Sequence, residues 1–267
     1  ESYIFMKITI HGSRGSIPSP SRDTIAYGGN TSCLELQFDG YQVFLDTGSG
    51  FKDTSLSDGK INKLIFFSHW HHDHIQGLPF NSHIFNQDHH IRLSSALGNR
   101  HHLREMLHTT FSGRYFSVDI INALPNLICE DISVVKKSVE KDFQLDWIEL
   151  QHPGGCYGYR IKNDGKTFCY LTDNEYNQTQ FPALADFTSG ADLVVWDGMY
   201  TQDELRTKAG WGHSSIEQGI TFFNEADIKS MIITHHAPFR TDDMLDQMQS
   251  MLPEGIDFAR DQMRIII

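Results

Sequence analysis

The sequence has no long apolar run, only four cysteines and few basic residues. A helix that crosses a bilayer needs about 20 consecutive, mostly apolar residues, and we find neither such a stretch nor a signal-peptide pattern. The cysteines, at positions 33, 129, 156 and 169, lack metal-ligand spacing, so we expect them to be reduced and mostly buried. These absences predict a cytoplasmic protein that does not enter a membrane.

Basic side chains are outnumbered by acidic ones, 22 to 34, which gives a formal net charge of −12. Proteins that bind long nucleic acids usually carry a basic face, because neutralisation of phosphates drives that binding. We therefore expect no long RNA or DNA partner. A hydrophobic content of 39% with 12% aromatic residues is typical of an ordinary packed core.

Four histidines and an aspartate occur together in the stretch His69-Trp70-His71-His72-Asp73-His74. An apolar run, residues 63–68, precedes this stretch and predicts a buried strand, while Gly77 and Pro79 end whatever helix begins after it. Imidazole and carboxylate groups on such a loop are ligands that hold zinc, iron or manganese and leave a position open for water. A histidine-rich surface loop is the alternative, but the spacing after a strand favours a metal site.

The stretch resembles the His-x-His-x-Asp-His motif of the metallo-β-lactamase superfamily. Members of that superfamily carry three more ligands downstream: a His, a bridging Asp and a final His. Here His152, Asp173 and His235 stand in that order, each after an apolar, strand-like run. The resemblance implies two metal ions, with one set of ligands for each ion and Asp173 between them. The first set is His69, His71 and His152, and the second is Asp73, His74 and His235. His72 and His236 are expected to point away from the ions, since neighbours on an extended chain face opposite sides.

Three further residues gain a role from the same resemblance. Asp46 follows the predicted strand 41–45 and matches the aspartate that orients ligating histidines; a helix cap is the alternative. The segment Trp211-Gly212-His213-Ser214-Ser215 resembles the Gly-His-Ser-Thr element of the ribonuclease Z-like phosphodiesterase branch, in which an acidic residue partners the histidine. Asp197 would be that partner, and Asp73 joins His213 and Asp197 as a candidate catalytic residue. A capping or core histidine is the alternative for His213.

The expected fold is that of the superfamily, an α/β protein built as a four-layer αββα sandwich. We predict a single domain over residues 1–267, with a helical insertion around residues 80–145 that covers the active site. The Gly-rich loop that follows the first strand is expected to border that site. Ser214 and Glu217 predict a capping box at the start of a helix after His213.

The resemblance implies a dinuclear metal-dependent hydrolase, most simply with two zinc ions, although manganese or iron also suits the ligands. Between His152 and Asp173 there is no room for the long arm of bacterial transfer-RNA 3′-processing enzymes, so we expect a small phosphodiester substrate such as a cyclic nucleotide. A lactonase or other carboxyl-ester hydrolase, and a metal-dependent nucleotide sensor without catalysis, are the alternatives. Self-association into a homo-oligomer is compatible with each of these interpretations.

Overall fold

The computed structural model describes residues 5–57 and 60–267; residues 1–4 and 58–59 of the predicted domain lie outside the described residues. The strands are β1 (Lys7–Gly12), β2 (Cys33–Phe38), β3 (Tyr41–Leu45), β4 (Asn62–Phe67), β5 (Ile91–Ser95), β6 (Leu127–Cys129), β7 (Gln144–Leu150), β8 (Cys156–Asn163), β9 (Lys166–Leu171), β10 (Leu193–Asp197), β11 (Met231–Thr234), β12 (Ile256–Phe258) and β13 (Met263–Ile266). The helices are α1 (His72–Ile75), α2 (Arg100–Thr110), α3 (Ile120–Ala123), α4 (Ile132–Val139), α5 (Phe181–Thr188), α6 (Gln202–Leu205), α7 (Ile216–Glu225) and α8 (Asp242–Gln249).

The strands form two sheets with related topologies. The first sheet has the order β13-β1-β2-β3-β4-β5-β6, and the second has the order β12-β11-β10-β9-β8-β7. Strands β3 to β6 run parallel in the first sheet, and β9 to β12 run parallel in the second. Because parallel strands end at the same edge of a sheet, the loops that follow them are brought together there.

Successive side chains of a strand point to opposite faces of its sheet, and this alternation divides the core into three apolar layers. In β3, Val43 and Leu45 face the layer between the two sheets, whereas Phe44 faces the outer side of the first sheet. In β10, Val195 lies in the central layer and Trp196 in the layer outside the second sheet. Helices α2 and α3 cover the first outer layer, and α5, α7 and α8 cover the second. This arrangement confirms the predicted αββα sandwich.

The segment 80–145 is more mixed than the predicted helical insertion. It holds α2, α3 and α4, but it also supplies β5 and β6, which extend the first sheet beyond β4. Apolar side chains of α2, such as Leu103 and Leu107, pack on that sheet. None of the helices within residues 5–57 and 60–267 combines the length and apolar character that crossing a bilayer requires.

The capping box before α7 begins one residue later than predicted. Ser215, not Ser214, caps the helix, and its partner is Gln218. The reason is that the hydroxyl of Ser214 is already engaged: it donates to the carbonyl of Asn174 and accepts a hydrogen bond from the backbone N–H of Tyr176. Ser214 therefore ties the segment that carries His213 to the segment after Asp173.

Candidate metal centre

One edge of the sandwich collects the polar residues that follow the strands. His69 comes two residues after β4, His152 two after β7, Asp173 two after β9, and His235 directly after β11. Strands β7 and β9 point the same way because each pairs antiparallel with β8 between them. The fold thus brings together four segments that are up to 166 residues apart in sequence.

The first group of predicted ligands consists of His69, His71, His152 and Asp173. His71 Nδ1 lies 3.0 Å from His152 Nε2. One carboxylate oxygen of Asp173, Oδ2, lies 3.6 Å from His69 Nε2 and 3.7 Å from His152 Nε2. Four zinc ligands at about 2.0–2.1 Å in a tetrahedron stand about 3.3 Å from one another, so these separations suit a single ion.

The second group consists of Asp73, His74 and His235. The Oδ2 atom of Asp73 lies 3.4 Å from His74 Nε2 and 3.7 Å from His235 Nε2. The other oxygen of Asp173, Oδ1, lies 3.2 Å from His74 Nε2 and 3.3 Å from His235 Nδ1. Asp173 therefore presents one oxygen to each group, as a bridging ligand would.

Three buried ring nitrogens in this cluster have no hydrogen-bond partner within residues 5–57 and 60–267. They are Nε2 of His69, His74 and His235, although carboxylate oxygens stand 3.2–3.7 Å away from each. A buried polar atom without a partner is costly, and a cation between these nitrogens and oxygens would satisfy all of them. The residues present thus fit divalent metal ions, as expected for a metal-binding site.

The carboxylates of the cluster also control the charge of the histidines. Burial lowers the pKa of His69 well below its ordinary value, and His74 opposes protonation further. Burial lowers the pKa of His74 as well, but the attraction of Asp173, Asp73 and Asp46 outweighs burial and raises that pKa well above its ordinary value. The three carboxylates thus favour a positive charge at this point, which a bound metal ion would supply in place of a proton.

Asp46 forms a hydrogen bond with a residue of the cluster but belongs to neither group of ligands. Its Oδ2 accepts hydrogen bonds from His74 Nδ1 at 2.8 Å, from the Ser68 hydroxyl at 2.7 Å and from the Tyr170 hydroxyl at 3.0 Å. Its Oδ1 accepts from the Ser68 backbone N–H at 2.7 Å. The bond from Nδ1 fixes the tautomer of His74 and leaves Nε2 to face the site. Asp46 holds a φ of 60°, a conformation that non-glycine residues adopt rarely.

His152 is oriented by the backbone of the loop before His213. Its Nδ1 donates to the carbonyl of Gly212 at 2.7 Å, which leaves Nε2 toward His71. Gly212 and Gly210 both have positive φ, and their N–H groups donate to the two carboxylate oxygens of Glu175 at 2.9 Å each. Glu175 was not predicted, and the sequence marks it only by its place two residues after Asp173.

His213 lies beside both groups of predicted ligands. Its ring centroid is 5.3 Å from that of His152 and 5.0 Å from that of His235, with which it stacks. Its Nδ1 donates to Asp197 Oδ2 at 2.9 Å. Burial lowers the pKa of His213, but Asp197 outweighs burial and raises it to about 9. Asp197 is itself held by backbone N–H groups of Asn174 and Met199, at 3.2 and 3.1 Å.

The Gly-rich loop after β1 lies against the second group of ligands. The backbone N–H of Ser16 donates to Asp73 Oδ2 at 2.7 Å, and a Cβ on Gly15 would lie 2.3 Å from the ring of His235. Arg14 holds this loop in place because its guanidinium donates hydrogen bonds to the carbonyls of Gly28 and Arg240. Neither residue was predicted: Ser16 acts through its backbone N–H, and the guanidinium of Arg14 binds backbone carbonyls that no sequence motif marks.

The remaining histidines of the predicted sites lie elsewhere. His72 is exposed, and His236 is buried with its Nε2 bonded to the carbonyl of Ala259 at 2.9 Å. Among residues 5–57 and 60–267, the groups that could hold a metal ion contain none of the histidines between positions 80 and 145. The histidines of that segment thus stay outside the candidate centre.

Two helix-covered sheets with His and Asp clusters at one edge define the metallo-β-lactamase fold class. The chain belongs to the beta-lactamase superfamily, because the superfamily domain matches residues 43–236. The predicted family, the predicted fold and the predicted class of enzyme, a metal-dependent hydrolase, are thereby confirmed.

Several relatives are similar to the chain over nearly its whole length. The probable metallo-hydrolase YhfI of Bacillus subtilis is 24% identical over 246 residues, which cover 90% of this chain and 91% of YhfI. A ribonuclease Z of Lachnospira eligens is 24% identical over 307 residues, covering 94% of each chain. The crystal structure of YhfI has a TM-score of 0.70 at 19% identity and covers 97% of this chain and 99% of its own. A diphosphatase from the PhnP family has a TM-score of 0.68 at 20% identity, with coverage of 98% and 97%.

Proposed function

We propose that this chain is a dinuclear metal-dependent phosphodiesterase that acts on a small phosphodiester such as a cyclic nucleotide. The observation that carries the proposal is the position of His213, which is packed between His152 and His235 and bonded to Asp197. A hydrolase needs a proton donor for its leaving group as well as a nucleophile. His213 also forms, with Asp173 and His235, a third group that could hold a metal ion. The seven predicted ligands already suffice for two ions, which leaves His213 to donate a proton.

The metal ions would be held by the two groups of ligands described above. His69, His71 and His152 would bind one ion, and Asp73, His74 and His235 would bind the other, with Asp173 shared. When bound, two divalent ions supply a nucleophile from water at neutral pH and offset the negative charge of phosphate oxygens. Zinc suits the nitrogen-rich ligand set, and manganese or iron would also fit it.

His213 would protonate the leaving alkoxide. A carboxylate only accepts hydrogen bonds, so the proton on Nδ1 is committed to Asp197, and Nε2 is left to face the substrate. A pKa raised to about 9 keeps the imidazole charged at neutral pH, which lets it donate a proton and attract phosphate. Asp197 would position the ring, and Asp73 would hold the second ion and accept a proton from the attacking water.

The short segment between the third ligand and the bridging aspartate supports a small substrate. The chain forms only the hairpin of β8 and β9 between His152 and Asp173. The alignment with the Lachnospira eligens ribonuclease Z extends over 307 residues, whereas this chain has 267, so the ribonuclease contains segments that this chain lacks. Together with the net charge of −12, these differences support a small substrate rather than transfer RNA.

The names of the relatives support phosphoester chemistry over lactone chemistry. One relative is named a ribonuclease and a structural neighbour a diphosphatase, and both names describe cleavage at phosphorus. A panel assay tests the proposal: the purified, metal-loaded protein is given bis(p-nitrophenyl) phosphate, cyclic nucleotides, lactones and precursor transfer RNA. We expect the chromogenic diester and at least one cyclic nucleotide to be hydrolysed. Turnover of lactones alone would indicate an ester hydrolase, and nucleotide binding without turnover would indicate a sensor.

Processing of precursor transfer RNA without an added subunit is the outcome that would refute the argument from size. The assay therefore includes a ribonuclease Z as positive control, so that an uncleaved precursor reports on this chain and not on the RNA preparation.

A further inference from the structure

A cavity of about 410 Å³ opens at the metal-binding motif, where His72 forms part of its wall. It is lined by one residue of the metal-binding motif and five from the end of α2 and the turn after it: His72, Thr109, Thr110, Phe111, Tyr115 and Phe116. Its volume lies within the range of about 300–1,000 Å³ that is usual for small-molecule sites. No residue that lines it was given a function above.

The cavity reaches the metal-binding motif at His72. This residue stands between His71 of the first group and Asp73 of the second, and its own side chain is exposed and outside both. The wall of the cavity and the ligands on either side of His72 thus share one short stretch of chain.

The walls of the cavity are aromatic and carry no carboxylate, ammonium or guanidinium group. Phe116 packs edge-on against Phe111 at 5.8 Å and against Phe80 at 5.5 Å between ring centroids. Phe111 is buried, which anchors this group of rings in the core, whereas Tyr115 is 79% exposed and Phe80 is 64% exposed. Exposed aromatic side chains that cluster at a cavity are typical of a ligand site.

The polar groups of the cavity are few: two threonine hydroxyls, the tyrosine hydroxyl and an imidazole. Rings for stacking, with hydroxyls at the margin, suit a flat heteroaromatic ligand that makes hydrogen bonds. A second phosphate would find no lysine or arginine side chain among the lining residues.

We propose that this cavity binds the nucleobase of a nucleoside phosphodiester, with Tyr115 as a stacking platform. The proposal rests on the proposed function and narrows its substrates to nucleotides. It makes the turn at the end of α2 a specificity element, separate from the residues that carry out hydrolysis. The turn is ordered by hydrogen bonds from the N–H groups of Tyr115 and Phe116 to the carbonyl of Ser112, at 3.1 and 3.3 Å.

The test compares two substrates that share a leaving group and differ in the base. Thymidine 5′-(p-nitrophenyl phosphate) carries a nucleoside, and methyl p-nitrophenyl phosphate does not. We expect Tyr115→Ala to raise KM for the nucleoside substrate about fivefold or more, the lower end of what loss of one base stack implies. For this variant, kcat with the nucleoside substrate should stay within about twofold of the parent value. So should kcat and KM with the methyl substrate.

Two control variants accompany Tyr115→Ala. Tyr115→Phe keeps the ring and should keep most of the affinity for the nucleoside substrate. Phe85→Ala removes an aromatic side chain that is 46% exposed in the same segment but does not line the cavity, and it should behave as the parent. An equal effect of Tyr115→Ala on both substrates, or no effect on either, would overturn the proposal.

A binding measurement separates failure of this proposal from failure of the proposed function. Calorimetric titration with adenosine 5′-monophosphate and thymidine 5′-monophosphate should show binding that weakens about fivefold or more in Tyr115→Ala. If the parent hydrolyses the methyl substrate but Tyr115 affects no nucleotide constant, the cavity proposal is wrong and the phosphodiesterase stands. If the parent cleaves no phosphodiester yet binds nucleotides through Tyr115, the proposed function is wrong and the cavity proposal stands. Tyr115-dependent turnover of aliphatic esters would assign the cavity to acyl chains instead and overturn it.

Discussion

Asp46 accepts a hydrogen bond from Nδ1 of His74 at 2.8 Å, with both side chains wholly buried. This hydrogen bond joins the end of β3 to the helix that begins within the metal-binding motif. It also turns the other ring nitrogen of His74, Nε2, toward the candidate centre. The geometry of the centre thus depends on a residue that would not touch an ion.

Replacement of Asp46 by Asn should weaken metal binding. The amide offers one acceptor oxygen where the carboxylate satisfies donors on both oxygens, and its NH₂ group would face donors. Loss of such a partner typically costs about 10- to 100-fold in metal affinity. Competition with a chromogenic chelator measures the metal affinity of each variant. Tyr170→Phe, which removes a single donor to Asp46, is the matched control and should change affinity less; equal losses in the two variants would contradict the orienting role.

Asp173→Ala should abolish tight binding of a second ion. Its two oxygens face different groups, so its removal deprives both groups of a ligand. Elemental analysis after dialysis against a chelator gives the stoichiometry, and Asp186→Ala, an exposed carboxylate on α5, is the control. Two tightly held ions in Asp173→Ala would show that this residue does not bridge.

The candidate ligands could be found from sequence because each follows a locally encoded strand. The apolar runs before His69, Asp173 and His235 predict strands, and the order of the motifs predicts that the strand ends meet. Glu175 and Ser16 were not predicted, because each contacts a loop that is distant in sequence. Glu175 accepts from the N–H of Gly212, and the N–H of Ser16 donates to Asp73. Such contacts depend on how the sheets pack, which alternation within one strand does not encode.

The errors of the sequence analysis have the same physical origin. Residues 91–95 and 127–129 were expected within a helical insertion, but they pair with a sheet edge that only the folded chain provides. Ser214 has the local pattern of a cap, yet its hydroxyl donates to the carbonyl of Asn174, 40 residues away in sequence. Tertiary hydrogen bonds thus override short-range signals at both places.

His213→Ala should leave both ions and the fold in place and lower kcat about 10²- to 10⁴-fold with a cyclic nucleotide, as loss of a general acid does. The decrease should be smaller with bis(p-nitrophenyl) phosphate, because p-nitrophenolate departs with little need of a proton. Steady-state kinetics and metal analysis of the same preparation measure both effects. His90→Ala, an exposed histidine outside the cluster, is the control. Loss of one ion would make His213 a ligand, and unchanged kcat would leave it a structural residue.

Asp197→Asn should shift the alkaline limb of the pH profile to lower pH. Asp197 raises the pKa of His213, whose protonated form would be active, so activity is present below that pKa and is lost as pH rises through it. Removal of the carboxylate lowers the pKa and hence the pH of this loss. The measurement is kcat/KM against pH for a cyclic nucleotide, in parent and variant. An alkaline limb that stays in place would separate Asp197 from the titration of His213.

Gly212→Ala should reduce metal occupancy, whereas Gly210→Ala should not. Both glycines have positive φ, 85° and 82°, so an alanine at either position carries a similar backbone strain. They differ in their surroundings: a Cβ on Gly212 would lie 2.3 Å from both His152 Nδ1 and Pro153 Cδ, and a Cβ on Gly210 would meet no atom within 4 Å. The pair therefore separates displacement of His152 from strain in the loop. Metal content and thermal unfolding of both variants measure the difference. Equal loss of metal in the two variants would mean that loop conformation, and not contact with His152, governs the site.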